Sequence, residues 1–130
     1  MLQKRHRLKK NAEIQEVRRK GQSWRNRWLI LSKLENGRSE SRFAFAVSRR
    51  VGNAVVRNRV KRLFREALYH RLPFLPGGWD VLLIARPLAK GARFNEMNAA
   101  VADLLKRAHL LIENPTSIVT SEESADRFPP

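Results

Sequence analysis

The side chains best placed to do chemistry lie between Ser48 and Leu72, and they are cations rather than nucleophiles. Arg49 and Arg50 precede Gly52 and Asn53, which read as a turn and helix cap; then come Arg57, Asn58, Arg59, Lys61, Arg62 and Arg65. At about 100° per residue, Val56, Val60, Leu63, Phe64, Ala67 and Leu68 share one side of that helix. Arg57, Asn58, Lys61, Arg62 and Arg65 crowd the other. Like charges three and four positions apart repel by a few tenths of a kcal/mol per pair, so this face is costly alone and favourable against a polyanion. The chemistry it offers is neutralisation of phosphate.

Groups that make or break bonds are sparse. His6, His70 and His109 have no carboxylate at ligand spacing, and Asp80 and Asp103 are the only aspartates before residue 126. A two-metal nuclease needs convergent carboxylates, and a phosphate loop of Walker type needs glycines that open a helix, whereas Gly77 and Gly78 precede an expected strand. The chain is expected to carry no catalytic residue and no metal site of its own.

Composition points to the same class of partner. Against 12 Asp and Glu stand 27 Lys and Arg, a net charge of +15 in 130 residues. The tail 114–130 holds one Arg against Glu122, Glu123 and Asp126, so the first 113 residues carry +17. Such a field attracts nucleic acid. No cysteine is present, so disulfides and thiolate metal sites are excluded. No apolar run approaches the 18 or so residues of a membrane span, and the expectation is a soluble, cytoplasmic protein with no membrane or DNA partner.

The elements that must position the basic helix follow from patterning. After a basic arm (residues 1–10), Asn11 reads as an N-cap and Gly21 as the stop of a short helix bearing Ile14 and Val17. Trp28–Ser32 and Phe43–Ser48 are rich in β-formers and flank Asn36-Gly37, which predicts a hairpin of two antiparallel strands. In the second, Phe43, Phe45 and Val47 alternate with Ala44, Ala46 and Ser48, leaving a small-residue face that is either closely packed by a helix or open to a ligand backbone. Trp79–Arg86 reads as a strand buried on both faces, and Phe94–Glu113 as a final amphipathic helix. Trp24 and Trp28, interleaved with Arg25 and Arg27, are candidates for an exposed stacking platform. The expected fold is a single α+β domain over 1–113, a two-layer sandwich in the order α-β-β-α-β-α, followed by a polar, disordered tail over 114–130. Charge and architecture alone would also suit a structural RNA-binding protein. A DNA-reading helix-turn-helix would need a partner helix before the basic one, and strands flank it instead.

The run Ala54-Val-Val-Arg-Asn-Arg-Val-Lys-Arg-Leu-Phe-Arg-Glu-Ala, preceded by Val47-Ser-Arg-Arg-Val-Gly-Asn, resembles the Arg-Asn-Arg signature of the protein component of bacterial ribonuclease P. The resemblance extends to Arg7-Leu-Lys-Lys-Asn, to Gly21 and to Val81-Leu-Leu-Ile-Ala-Arg-Pro. It implies a left-handed β-α-β crossover around the basic helix and a non-catalytic subunit of a ribonucleoprotein endonuclease, a hydrolase in tRNA processing. The partner RNA would cleave the 5′ leader from precursor tRNA with RNA-bound Mg²⁺. Carried over by position, Arg49, Arg50, Gly52, Asn53, Arg57, Asn58, Arg59, Lys61, Arg62 and Arg65 would contact the ribonuclease P RNA. Ile14, Val17, Arg18, Ile30, Ser32, Ala44, Ala46 and Ser48 would line a leader cleft between the first helix and the sheet. Many relatives carry aromatic residues where this chain has Ile14 and Arg18, and a tyrosine where it has Ser32. Phosphate contact by Arg18, with Trp24 or Trp28 compensating for lost stacking, is the corresponding expectation.

Overall fold

In a computed structural model that describes residues 4–111, seven main elements follow in the order α-β-β-β-α-β-α. They are α1 (Asn11–Lys20), β1 (Gln22–Arg25), β2 (Leu29–Glu35), β3 (Arg42–Ala46), α2 (Ala54–Tyr69), β4 (Trp79–Ala85) and α3 (Phe94–Arg107). The sheet order is β1-β2-β4-β3. β4 runs antiparallel to β2 and parallel to β3, so α2 is the crossover of a β-α-β unit.

This order corrects the expected hairpin. Gly37 does take a turn conformation at φ 67°, yet the strands on either side of it are separated by β4 rather than paired with each other. The physical reason is apolar content: Val81, Leu82 and Leu83 have no exposed surface, and a continuous apolar run is buried best with strands on both sides of it. The loop is closed by Asn36 instead, whose amide donates to Glu40 O at 3.1 Å and to Asp80 Oδ1 at 2.9 Å. β1 is an additional strand. Its four residues are mostly exposed and are held by pairing with β2, Trp24 opposite Leu31 and Arg25 opposite Ile30.

Alternation along the strands divides the interior in two. On one face Leu29, Leu31, Phe43, Val81 and Leu83 pack against Val60, Phe64 and Leu68 of α2 and Met97, Val101, Leu104 and Leu105 of α3. On the other, Leu82 and Ala44 lie under Val17 of α1 and Leu8 of the N-terminal arm. The α+β sandwich is thus the sheet with its α2/α3 layer, and α1 covers part of the opposite face. The arm is fixed along the β3 edge, where Leu8 N donates to Phe43 O at 2.8 Å.

Local signals explain most boundaries. Asn53 caps α2, its Oδ1 accepting from Val56 N at 3.0 Å. Asn11 is the first helical residue of α1 rather than its cap, because Lys10 occupies that place in extended conformation. Gly21 ends α1 for want of room: a Cβ there would lie 2.5 Å from Val17 O and 2.8 Å from Lys33 O. α3 stops six residues short of the expected Glu113. His109 adopts φ 60°, and bonds from His109 N to Lys106 O and Leu110 N to Leu105 O form a Schellman turn that returns Leu110 to the core. The tail expected over 114–130 lies outside the described residues.

Candidate nucleic-acid interface

On α2, Val60, Leu63, Phe64, Ala67 and Leu68 are buried, as their spacing predicts. The basic residues divide between three sides. Arg57, Lys61 and Arg65, spaced four apart and partly exposed, run along the flank beside β3, where the Arg65 guanidinium lies 6.0 Å from the Phe45 ring. Asn58 and Arg62 are exposed on the crest. Arg59 turns the other way and donates to Ala92 O at 2.5 Å and Lys90 O at 3.4 Å, clamping α2 to the 3₁₀ turn Pro87–Gly91. The loop before α2 presents Ser48, Arg49 and Arg50 as exposed side chains; Gly52 is partly buried against Val56, and Asn53 is occupied as the cap.

The expected cleft residues fall into two depths. Val17, Ser32 and Ala44 are buried, at 0%, 3% and 6% exposure; Ser32 and Ala44 belong to the sheet, and Val17 is the buried residue of α1. Ile14, Ile30 and Ala46 are half-buried, and Arg18 and Ser48 are exposed. Register puts Ile30 beside Ile84 and Ile84 beside Ala46, which makes an apolar strip across three strands that α1 leaves open. The small-residue face of β3 is thus divided, Ala44 packed and Ala46 partly exposed.

α1 is oriented by charge. Its Glu13 carboxylate accepts from the Arg42 guanidinium at 3.1 and 3.3 Å, and the same guanidinium grips Asp80 at 2.8 and 2.9 Å. Asp80 and Glu13 hold the Arg42 guanidinium above its ordinary pKa, against a smaller opposing effect of burial. Ile14, the next residue, packs half-buried on the Val17, Ala44 and Leu82 cluster, and Arg18 is exposed on α1. A groove of about 240 Å³ continues around the β3 edge, lined by Arg7, Leu8, Lys9, Ile14, Phe43, Ala44, Phe45 and Arg65.

Sequence reasoning missed Ile84, since β4 read as buried on both faces; its alternation with Asp80 and Leu82 carries the signal once β4 is central. The tryptophan platform is absent. Trp24 and Trp28 pack half-buried against the α2/α3 core, on the far side of the sheet from the strip. Trp24 and Trp79 flank the Lys33 ammonium instead, at 5.4 and 4.0 Å. Among the described residues, no three His, Asp or Glu side chains come together as metal ligands.

Comparison with known proteins agrees with this geometry. The ribonuclease P family model matches residues 2–109. The ribonuclease P protein component of Brevibacillus brevis is 39% identical over 111 residues, covering 85% of this chain and 88% of that protein. That of Roseiflexus castenholzii is 41% identical over 104 residues, covering 79% and 85%. The structure of the RNase P protein from Staphylococcus aureus superposes with a TM-score of 0.77 at 31% identity, over 82% of this chain and 98% of that one. That from Thermotoga maritima gives 0.72 at 28%, over 83% and 98%. The chain belongs to the bacterial ribonuclease P protein family, as the protein component of ribonuclease P.

Proposed function

We propose that this chain binds the catalytic RNA of ribonuclease P through α2 and its preceding loop, and holds the 5′ leader of precursor tRNA on the open strip of the sheet. The observation that carries this reading is the pairing of two surfaces across one strand: the stripe Arg57, Lys61, Arg65 on one side of β3 and the strip Ile30, Ile84, Ala46 on the other. A cation stripe fits a phosphate backbone, and a strip with no large side chain at Ala46 lets an extended strand approach closely. Arg49, Arg50, Asn58 and Arg62 extend the first surface; Ile14, Arg18 and Ser48 border the second. Arg59, Asn53 and Gly52 support the first surface from beneath, and Val17, Ser32 and Ala44 support the second.

The RNA carries out the hydrolysis, with Mg²⁺ held by RNA. Two carboxylates on the α1 side of the sheet, Asp80 and Glu13, are both engaged by Arg42, which makes them poor ligands for that ion. The protein acts by neutralising phosphate repulsion between catalytic RNA and substrate and by fixing the leader. No helix among the described residues is long and apolar enough to cross a membrane, and the work belongs in the cytoplasm with the maturing tRNA.

The test is cleavage of a 5′-extended precursor tRNA at low Mg²⁺ with protein alone, catalytic RNA alone, and both. Cleavage at the mature 5′ end only for the mixture is the expected result. Cleavage by protein alone would place a catalytic site in the chain, and no enhancement of its own RNA would leave only a structural RNA-binding role.

A further inference from the structure

The turn between β1 and β2 is held far more firmly than its length requires. The Asn26 side chain accepts from Trp28 N at 2.9 Å and Leu29 N at 3.1 Å, and donates to Ala100 O and Asp103 Oδ2, each at 3.1 Å. Arg86 Nη1 donates to Asn26 O at 2.8 Å, and Arg107 Nη1 to Arg25 O at 2.9 Å. Two neighbouring strands and α3 thus converge on one short turn. What the turn displays is two exposed guanidiniums, Arg25 and Arg27, neither of which has a side-chain partner among the described residues. The acid nearest the turn, Asp103, is already engaged by Asn26 and Arg107.

Register fixes where Arg25 points its surface. It sits opposite Ile30, whose neighbour across the sheet is Ile84, followed by Ala46. The row Arg25, Ile30, Ile84, Ala46 therefore runs from one edge of the sheet to the other on the face that α1 leaves open. Beside the neighbouring β3 residues Phe43, Ala44 and Phe45 lies the groove bordered by Arg7, Lys9 and Arg65; at the β1 end of the row stand Arg25 and Arg27. An apolar row with exposed cations at its β1 end and a cation-bordered groove beside β3 has the charge pattern of a bed for single-stranded RNA.

We propose that the β1–β2 turn is a second RNA-binding element, in which Arg25 and Arg27 hold phosphates of the precursor-tRNA leader where it leaves the open strip. This rests on the leader reading above. The catalytic RNA on α2 and the Arg49–Arg50 loop puts the cleaved bond on the β3 side, so the strand crosses toward β1 with its 5′ end leading. The crossing is three strand spacings, about 14 Å at ~4.8 Å each, which takes no more than about four nucleotides at the ~3.4 Å spacing of a stacked strand. A leader shorter than the crossing does not reach Arg25; a longer one does.

The experiment uses the holoenzyme reconstituted from this chain and its catalytic RNA. Affinity is measured for precursor tRNAs with leaders shorter than the crossing and leaders twice its length, over a range of salt. Arg25→Ala/Arg27→Ala is expected to weaken binding of the long-leader substrate by about two- to fivefold at low salt and to leave the short-leader substrate and the affinity for catalytic RNA unchanged. Ala46→Glu, which puts a negative charge on the strip itself, separates the two ideas. If it weakens long-leader binding while the arginine variant does not, the turn plays no part and the leader reading stands. If neither variant has an effect, both readings fall. Weaker binding of catalytic RNA by the arginine variant would assign the turn to that RNA and overturn the proposal.

Discussion

Arg42 grips Asp80 with two hydrogen bonds, Nε to Oδ1 at 2.9 Å and Nη2 to Oδ2 at 2.8 Å, across the parallel strands β3 and β4, and reaches Glu13 of α1 with what remains of its guanidinium. The side chains are 14% and 9% exposed, so removing one partner strands a charge in a poorly solvated place. Arg42→Ala is expected to cost about 3 kcal/mol, near the lower end for a broken buried pair. Arg42→Met/Asp80→Leu should cost less than either single change. Urea midpoints for the three variants test this; a double variant as unstable as the sum of the singles would show that the pair is not acting as a unit.

The arginines of α2 should separate by kind of defect. Arg57→Ala, Arg62→Ala and Arg65→Ala are each expected to reduce the salt dependence of catalytic-RNA binding, by a slope change of up to about one per lost phosphate contact. Arg59→Ala should leave that slope unchanged and lower thermal stability instead, because its guanidinium is bonded to Lys90 O and Ala92 O. A log–log plot of affinity against salt beside a melting curve distinguishes the two classes.

The reason this division was not legible in the sequence is that Arg57, Arg59 and Arg62 are chemically identical, and which guanidinium finds a carbonyl depends on the turn that packs beside α2. The helix itself was legible throughout, since its apolar spacing and Asn53 cap are local. β1 was not, because Gln22-Ser-Trp-Arg has neither alternation nor length and exists through its pairing with β2. The strand pairing misled for a related reason. Asn36-Gly37 specifies a turn, but whether its flanking strands meet is decided by a more apolar segment more than 30 residues further on. The cleft was half legible: the small face of β3 showed in its alternation, whereas the share of it that α1 covers depends on Arg42.

His109 holds the left-handed C′ position of the Schellman turn at φ 60° with an exposed side chain. A residue with a Cβ pays about 1 kcal/mol there relative to glycine. His109→Gly is expected to stabilise the fold by roughly that amount, less the added freedom of the unfolded chain, and to leave RNA affinity unchanged. Chemical denaturation measures it; destabilisation would mean that the imidazole makes a contact of its own.

Lys33 is 8% exposed, donates to Ala108 O at 2.7 Å, and is pushed below its ordinary pKa of 10.5 by burial, with a smaller opposing effect from Glu35. Between that lowered value and 10.5 the unfolded chain binds more protons than the folded one, so the contribution of Lys33 to stability rises with pH through this window and is least favourable below it. Lys33→Met should lack that component. The measurement is the difference between the two proteins in denaturation midpoint from neutral to about pH 10; parallel curves would refute the account.

The central strand of the sheet comes late in the chain. β2 and β3 are complete by Ala46, yet each gains its main partner only when Trp79–Ala85 is present. A nascent chain shorter than that carries the whole basic helix but no closed sheet to bury its apolar side, and two strands with unsatisfied edges. During synthesis the cationic face of α2 is therefore translated before it is folded, and it becomes a defined surface only after the last strand inserts. On the proposed reading of α2, assembly with RNA would be tied to near-completion of the polypeptide.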